Sequence, residues 1–317
     1  MIGRNITLRN ENAGDKMYLN MINDELKRIY GEKVYRIALN GGMTCPNRDG
    51  KIDTRGCIFC SAGGSGDFAE DYRCDITTQI ESGKLRIQSK APKCKKFIAY
   101  FQAYTNTYAS TDYLRKIFTE AIQHPDVVIL SIATRPDCLP PEVLDLLEEL
   151  NQIKPVWVEL GMQTVKEDSA QFIRRGYCLD VYDQAVQALK ERDIKVITHI
   201  ILGLPGETKE DMYASIRHVA SQHVYGVKLQ LLHILEHTDL ADYYRAHPFP
   251  VFTLEDYIET VAHCVELLPR DITIHRLTGD GPKKILIEPK WSGNKRMVLN
   301  TMHKYLREHE VEQGKWE

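Results

Sequence analysis

The sequence predicts an α/β fold in which repeated βα units surround a parallel sheet. Seven short runs of β-branched or aromatic residues recur along the chain, and helical patterns lie between them. The predicted strands are residues 34–39, 97–101, 127–132, 156–160, 196–202, 226–232 and 272–277. Six or seven such units in succession favour a full or partial barrel over a doubly wound sheet.

Amphipathic patterns of helical period separate these strands. The predicted helices are residues 76–90, 112–123, 141–150, 181–192, 209–222 and 254–267, with a last one over about 294–310. Ser110 is a suitable N-cap for the second of them. A further helix is predicted over residues 18–30, where we expect it to cover one edge of the fold. The chain is therefore divided into an N-terminal segment (1–33), a barrel (34–280) and a basic, helical C-terminal extension (281–317).

The composition predicts a soluble, cytosolic protein. Hydrophobic residues make up 43% of the 317 positions, enough for a substantial core, and the net charge of -3 gives no general attraction to nucleic acid. The first residues lack the apolar stretch of a secretory signal, and no apolar run is long enough to span a bilayer. The eight cysteines are therefore expected to be reduced thiols rather than disulfides.

Three cysteines follow the first predicted strand in a segment that we call the cysteine loop, residues 40–68. Cys45, Cys57 and Cys60 have the spacing C-x11-C-x2-C in a stretch rich in Gly, Asn and Asp. Thiolates in this arrangement can converge on one metal ion or cluster. A closed zinc site takes four protein ligands, so three ligands leave one position open for chemistry. The alternative is a zinc site that a distant residue completes.

Polar side chains recur on one face of five predicted strands, whereas the other face of each strand is apolar. The C-terminal ends of the strands, where the cysteine loop begins, are the usual place of the active site in βα folds. Buried polar groups need partners, so we expect this face to line a lumen that holds a polar ligand. The alternative is an open sheet that exposes some of them to solvent. The polar residues are Ser131, Arg135, Glu159, Gln163, His199, Lys228, Gln230 and His275.

The cysteine loop and the strand ends together resemble the radical S-adenosylmethionine (SAM) superfamily. The resemblance covers nearly the whole chain from residue 34 and implies a partial (β/α)6-type radical SAM barrel with an N-terminal helical segment and a C-terminal extension. It also implies that Cys45, Cys57 and Cys60 hold a 4Fe–4S cluster whose fourth iron binds SAM. The long gap between Cys45 and Cys57 is similar to that of the Elongator catalytic-subunit-like branch and its YtqA/YhcC-like relatives.

Four further motifs follow in the order of that family, each at the end of a predicted strand. After the second strand, one of Gln102, Thr105 and Asn106 is implied to bind the SAM amino group, where the family commonly has a Gly-Gly-Glu-type motif. His199 stands where the motif that lies against the adenine has its first glycine. The remaining residues that the resemblance implies for the SAM site are Arg135, Glu159, Gln163, Gly203, Leu204 and Pro205.

The YtqA/YhcC-like subgroup implies an enzyme that modifies tRNA. A flavodoxin- or ferredoxin-type donor is expected to reduce the cluster, and a 5′-deoxyadenosyl radical then acts on the C5 side chain of the wobble uridine, as in conversion of carboxymethylaminomethyl to aminomethyl. Basic clusters within residues 84–96 and 283–296 are either RNA contacts or solvated surface. Two alternatives are a radical SAM enzyme that acts on a small metabolite or peptide, and a zinc-stabilised binding protein. The expected substrate-facing residues are Tyr104, Lys228, Gln230, His233 and His275.

Overall fold

A curled parallel sheet forms the centre of the computed structural model, which describes residues 19–64, 66, 69–279 and 281–316. In chain order its strands are β1 (Tyr35–Leu39), β2 (Phe97–Phe101), β3 (Val127–Thr134), β4 (Val156–Gln163), β5 (Lys195–Leu202), β6 (Gly226–Leu231), β7 (Ile234–Leu235), β8 (Thr273–Arg276) and β9 (Leu286–Glu288). Seven of them pair in the parallel order β1-β2-β3-β4-β5-β6-β8 and make a half-barrel. These are the seven strands that the sequence predicts, so the α/β barrel prediction is confirmed.

Most helices cover the outer face of this half-barrel, whereas the first one lies at its lower end. The helices are α1 (Ile22–Tyr30), α2 (Ile76–Gln88), α3 (Thr111–Gln123), α4 (Pro141–Asn151), α5 (Glu167–Phe172), α6 (Leu179–Lys190), α7 (Lys209–Ser221), α8 (Asp239–Ala246), α9 (Leu254–Leu267) and α10 (Lys295–Glu308). The predicted N-cap is confirmed, because the Ser110 side chain accepts a hydrogen bond from the backbone N–H of Tyr113. Apolar residues of helices and strands, such as Leu146 and Val158, form one continuous core between the two layers.

The N-terminal helix does more than cover an edge, because it closes the lower end of the barrel. The prediction placed it over residues 18–30, but the helix begins at Ile22, and residue 18 lies outside the described residues. Ile22 and Leu26 are buried in a second apolar cluster, where they pack with Trp157 and Ile197 from the inner face of the sheet. Apolar side chains fill this end of the barrel, so the polar residues above them form the floor of any cavity.

The C-terminal extension packs onto the barrel rather than standing apart from it. Met302 and Leu306 of α10 are fully buried in the main core. The Gln313 amide donates to the carbonyls of Pro269 and Ile272 at 2.6 and 2.7 Å, just before β8. Among the described residues, no helix is both long and apolar enough to cross a membrane.

Short elements escaped the sequence prediction. The helices α5 and α8 have 6 and 8 residues, and β7 pairs antiparallel with β9 through a ladder of two to three residues. Segments of this length complete no more than about two periods of a helix or strand pattern, so periodicity cannot identify them.

Candidate active site

An open cavity lies inside the half-barrel, between the cysteine loop and the ends of the strands. The expected lumen is confirmed for most of the predicted polar face. The sequence-predicted residues that line the cavity are Cys45, Cys57, Cys60, Gln102, Tyr104, Thr105, Arg135, Glu159, Gln163, His199, Lys228 and Gln230.

The three loop cysteines all line this cavity as free, partly buried thiols. Within the described residues, only Glu81, His124 and Asp126 form a set of three ligand atoms that all lie within 4.8 Å of one another, so at least two of the three Sγ atoms are farther apart than that. Two thiolates on one zinc ion can be no more than about 4.6 Å apart, given Zn–S bonds of about 2.3 Å. In these positions the three thiols therefore cannot all bind one zinc ion.

Hydrogen-bond donors and cations surround the thiols. The buried Asn47 side chain donates from Nδ2 to Cys57 Sγ at 3.4 Å and to the carbonyl of Arg174 at 2.6 Å. Arg48 Nη2 donates to the backbone carbonyls of Cys60 and Ser61 at 3.1 and 2.7 Å. Burial, together with the neighbouring thiols, raises the pKa of Cys57 to about 12. A metal or cluster must therefore displace that proton as it binds.

Sequence reasoning missed an aromatic ring that two arginines enclose beside the cluster position. Arg135 and Arg175 lie over the Tyr177 ring at 4.9 and 5.1 Å from its centroid. Asp137 holds Arg135 through two hydrogen bonds of 2.9 and 2.8 Å. All three residues Arg135, Arg175 and Tyr177 line the cavity. The signal was the sequence Arg-Arg-Gly-Tyr at 174–177, but it follows the short helix α5, which has no predicted strand end beside it.

The floor of the cavity is a hydrogen-bond network centred on Glu159 of β4. Its Oε1 accepts from Ser131 Oγ at 2.9 Å, and its Oε2 is bonded to His199 Nε2 at 2.8 Å and to Lys228 Nζ. Lys228 also lies 3.3 Å from the Tyr100 hydroxyl. Side chains from β2 to β6 are thus joined across the barrel interior. The resemblance implied that Glu159 belongs to the SAM site, whereas here both of its oxygens bind side chains of the chain itself.

The charges of this network follow from burial and mutual proximity. Burial acts to raise the pKa of Glu159, but Lys228, His199 and Arg36 outweigh it and hold that pKa well below its usual range. Burial, reinforced by Lys228, lowers the pKa of His199 to about 4 despite the carboxylate beside it. Burial also lowers the pKa of Lys228 to about 7, with Arg36 and Arg276 adding to the effect and Glu159 opposing it. His199 is therefore a neutral imidazole next to a carboxylate.

His275, predicted to face the substrate, instead lies below the cavity floor. Its Nδ1 is 2.9 Å from Arg36 Nη2, and its ring packs edge-on against Trp157 at 5.3 Å. Arg36 of β1 was not predicted as a site residue. Together Arg36 and His275 connect the polar floor to the apolar layer beneath.

Several other predicted site residues also lie away from the cavity wall. Asn106 is fully buried and connects the ends of β2 and β3, because its Nδ2 donates to the carbonyls of Phe101 and Ala133. His233 packs between Gly279 and Gly281, where a Cβ on either glycine would approach its ring to 3.0 Å. The segment Gly203, Leu204 and Pro205 follows β5 without lining the cavity.

Gly203 has a structural role in that segment. Its φ is +91°, a backbone conformation that favours glycine, and a Cβ there would meet the Phe252 ring at 2.9 Å. The Phe252 ring therefore occupies the space on that side of the Gly203 backbone.

Comparisons with known proteins agree with this geometry. The profile described as "Radical SAM superfamily" matches residues 45–219, and "Radical_SAM C-terminal domain" matches residues 224–308. The chain is 43% identical to the uncharacterized protein YtqA of Bacillus subtilis over 93% of this chain and 91% of YtqA. It is 26% identical to a tRNA uridine(34) acetyltransferase of Methanocaldococcus jannaschii over 58% of this chain and 34% of that protein.

The fold is also found among solved structures. The archaeal Elp3 of Methanocaldococcus infernus superposes with a TM-score of 0.67 at 17% identity, over 88% of this chain and 64% of that chain. This likeness concerns the fold alone. With a family profile over more than half of its length and a 43% identical relative over nearly all of it, the chain belongs to the radical SAM superfamily, and a 4Fe–4S cluster and SAM are its cofactors.

Proposed function

We propose that this radical SAM enzyme modifies the C5 side chain of the wobble uridine in tRNA, as in conversion of carboxymethylaminomethyl to aminomethyl. The observation that carries this proposal is the rim of the cavity, where cationic and aromatic side chains alternate. A related protein is named for its action on tRNA uridine(34), which supports the same substrate class. Because that protein matches over 58% of this chain and 34% of its own length, its activity is a guide only to the substrate.

The rim combines the two kinds of group that bind single-stranded RNA. The Arg48 guanidinium lies 5.6 Å from the centroid of the Tyr104 ring, and Lys51 Nζ lies 5.3 Å from that of Tyr108. Arg55, in the same loop, pairs with Asp239 at 3.4 Å and still has 63% of its side chain exposed. Basic side chains attract backbone phosphates, and aromatic rings stack on unpaired bases. An anticodon loop, whose bases can turn outward, fits such a rim.

The predicted basic cluster of residues 84–96 supports RNA binding less well. Lys84 bonds Glu81 and Asp126, and Arg86 bonds Glu70. Lys96 Nζ donates to the backbone carbonyl of Tyr30 at 2.9 Å. Lys84, Arg86 and Lys96 also do not line the cavity, so the proposal rests on the rim.

The side chains around the cavity have distinct proposed roles. Cys45, Cys57 and Cys60 hold the cluster, and Arg135 and Gln163 bind SAM from the ends of β3 and β4. When bound, the cluster and SAM supply a 5′-deoxyadenosyl radical, which takes a hydrogen atom from the substrate. The barrel walls keep water away from this step and hold the reacting groups close together. The electron comes from a flavodoxin- or ferredoxin-type donor.

The test compares modified nucleosides in tRNA from cells with and without the gene. Mass spectrometry of digested tRNA should show that a C5-modified wobble uridine is lost in the deletion strain and that its precursor accumulates. A plasmid copy of the wild-type gene should restore the modification, whereas Cys57→Ala should not. Unchanged wobble uridines in the deletion strain would refute the tRNA proposal.

A substitution at a cysteine outside the cavity distinguishes loss of the cluster from general damage to the protein. Cys74 is exposed and lies outside the cavity, so Cys74→Ala should restore the modification as well as the wild type does. After anaerobic reconstitution, Cys57→Ala should also bind far less iron and sulfide than Cys74→Ala. Equal iron and sulfide contents in the two variants would contradict the ligand assignment.

A further inference from the structure

At the cavity floor, a ring nitrogen of His199 and the side-chain amide of Gln230 are available to a ligand, because the Glu159 network does not use them. Glu159 is an ionised carboxylate and can only accept, so His199 Nε2 must donate the hydrogen bond that joins them at 2.8 Å. A neutral imidazole with its proton on Nε2 has a lone pair on Nδ1. Among the described residues nothing bonds this Nδ1, and His199 lines the cavity with 16% of its side chain exposed.

Gln230 lies close to this acceptor. His199 pairs in register with Lys228 on the neighbouring strand, and Gln230 is two residues further along the same face of β6. Gln230 also lines the cavity, and within the described residues its amide forms no hydrogen bond. An acceptor on β5 and an amide donor on β6 thus face the same space.

The position of this pair points to the substrate rather than to SAM. His199 is three residues before the end of β5, which places it about 10 Å below the strand ends that the cysteine loop follows. SAM has to reach the cluster at that upper level. His199 and Gln230 therefore lie deeper in the barrel than the cluster does, on the side of the cavity away from the cysteine loop.

We propose that His199 Nδ1 and the Gln230 amide recognise a ring edge that offers an N–H donor beside a carbonyl acceptor, namely the N3–H and the adjacent carbonyl of uracil. In this arrangement Nδ1 accepts from N3–H, and the Gln230 amide donates to the carbonyl. Lys228 and Glu159 are positioning residues, because they fix the side of the imidazole that carries the proton. The inference rests on the proposed tRNA function and specifies how its uridine is chosen.

Cytosine reverses the donor and acceptor pattern of this edge at nearly the same size, which makes it the matched ligand. The probe is an anticodon stem–loop RNA with uridine or cytidine at the first anticodon position. The cluster-loaded wild-type protein should bind the uridine form roughly tenfold more tightly, the value of about one hydrogen bond plus the penalty for facing two acceptors. Fluorescence anisotropy of labelled RNA measures both dissociation constants.

Two substitutions of His199 distinguish the roles of its two ring nitrogens. His199→Gln retains a donor near the place of Nε2 and loses the acceptor, so its preference for uridine should disappear. His199→Asn retains an acceptor near the place of Nδ1 and should keep part of the preference. His218→Gln makes the same exchange on α7, away from the cavity, and should bind both RNAs as the wild type does.

Adenine also presents an N–H beside an acceptor, so the adenine of SAM is the alternative ligand for His199 and Gln230. The dissociation constant of SAM is therefore measured for the same variants. The loss of uridine preference in His199→Gln should exceed any loss of SAM affinity. If SAM affinity falls about tenfold and the uridine preference remains, the pair binds adenine and the uracil assignment is overturned.

The remaining outcomes distinguish this inference from the proposed function. If both RNAs bind equally to the wild type, the tRNA function stands and the uracil assignment fails. If neither RNA binds, the tRNA function fails and the uracil assignment fails with it. A nitrogen-15 spectrum of histidine-labelled protein tests the acceptor without RNA, because a proton on Nδ1 of His199 would overturn its role directly.

Discussion

At the scale of single residues, the cavity floor illustrates how a buried charge is made tolerable. Glu159 is 1% exposed, and it accepts hydrogen bonds from Ser131, His199 and Lys228. A buried carboxylate without such partners would be strongly destabilising. The network also keeps His199 neutral, because burial and Lys228 together outweigh the attraction of Glu159.

The neutral state of His199 gives a pH dependence of stability. Its pKa of about 4 in the folded protein lies below the value of about 6.5 in an unfolded chain, so the unfolded state binds more protons between those values. Stability should therefore fall as the pH falls from about 6.5 to 4, by about 3 kcal/mol from this residue. His199→Gln should remove that part of the decline, as urea unfolding at pH 4 to 7 would measure.

A second histidine provides the control for this measurement. His247 is exposed at the end of α8, and His247→Gln should retain the wild-type decline with pH. Parallel stability curves for the wild type and His199→Gln would show that folding does not lower the pKa of His199, contrary to the assignment.

At the scale of elements, α1 determines where the barrel interior ends. The sequence predicted the helix from its apolar spacing but could assign it only to an edge. In the structure Glu25 accepts from the Tyr225 hydroxyl at 3.0 Å and from Thr273 Oγ1 at 2.9 Å, which ties the helix to β8 and its neighbour. Those partners lie 200 and 248 residues away, beyond the reach of any local pattern.

Because α1 closes the barrel, an alanine substitution on its buried side should lower the free energy of unfolding strongly. A substitution on its exposed side should lower it only slightly. Leu26→Ala should lower the free energy of unfolding by about 2 to 5 kcal/mol, because Leu26 is 2% exposed and fills the apolar layer. Ile29→Ala should change it by no more than about 0.5 kcal/mol, since Ile29 is 49% exposed. Equal losses in urea unfolding would contradict the placement of the helix.

At the scale of the whole molecule, the C-terminal extension and the barrel share one core. Val311 and Met302 belong to the same buried cluster as strand residues such as Ile274. The sequence pattern changes at residue 281, where the division was predicted. The buried core nevertheless continues across that position.

A shared core predicts cooperative unfolding. Tryptophan fluorescence reports on Trp157 in the apolar layer at the lower end of the barrel and on two tryptophans of the extension. Of these, Trp291 donates its indole N–H to the Phe252 carbonyl near α9, and Trp316 donates to Glu266 of α9. Far-ultraviolet circular dichroism reports on all helices. The two signals should give superimposable urea transitions with one midpoint. Separate midpoints would mean that the extension unfolds independently.

The sequence by itself determined the features that depend on local periodicity and spacing. The seven strands, the cysteine pattern and the polar face through Glu159, His199 and Lys228 can all be identified there, because side chains alternate along a strand and active sites collect at strand ends. The family could be recognised from the same motifs, each placed at the end of a predicted strand.

Only the tertiary structure decided which of those residues meet. Glu159 and Lys228 are 69 residues apart and are joined by the curl of the sheet, whereas Asn106 and His275, on equally suitable elements, turn to structural partners. The enclosure of Tyr177 by two arginines and the placement of the three thiols on the cavity wall depend likewise on how loops fold back over the strand ends. Contacts between distant segments depend on the packing of the whole chain, which local sequence patterns do not contain.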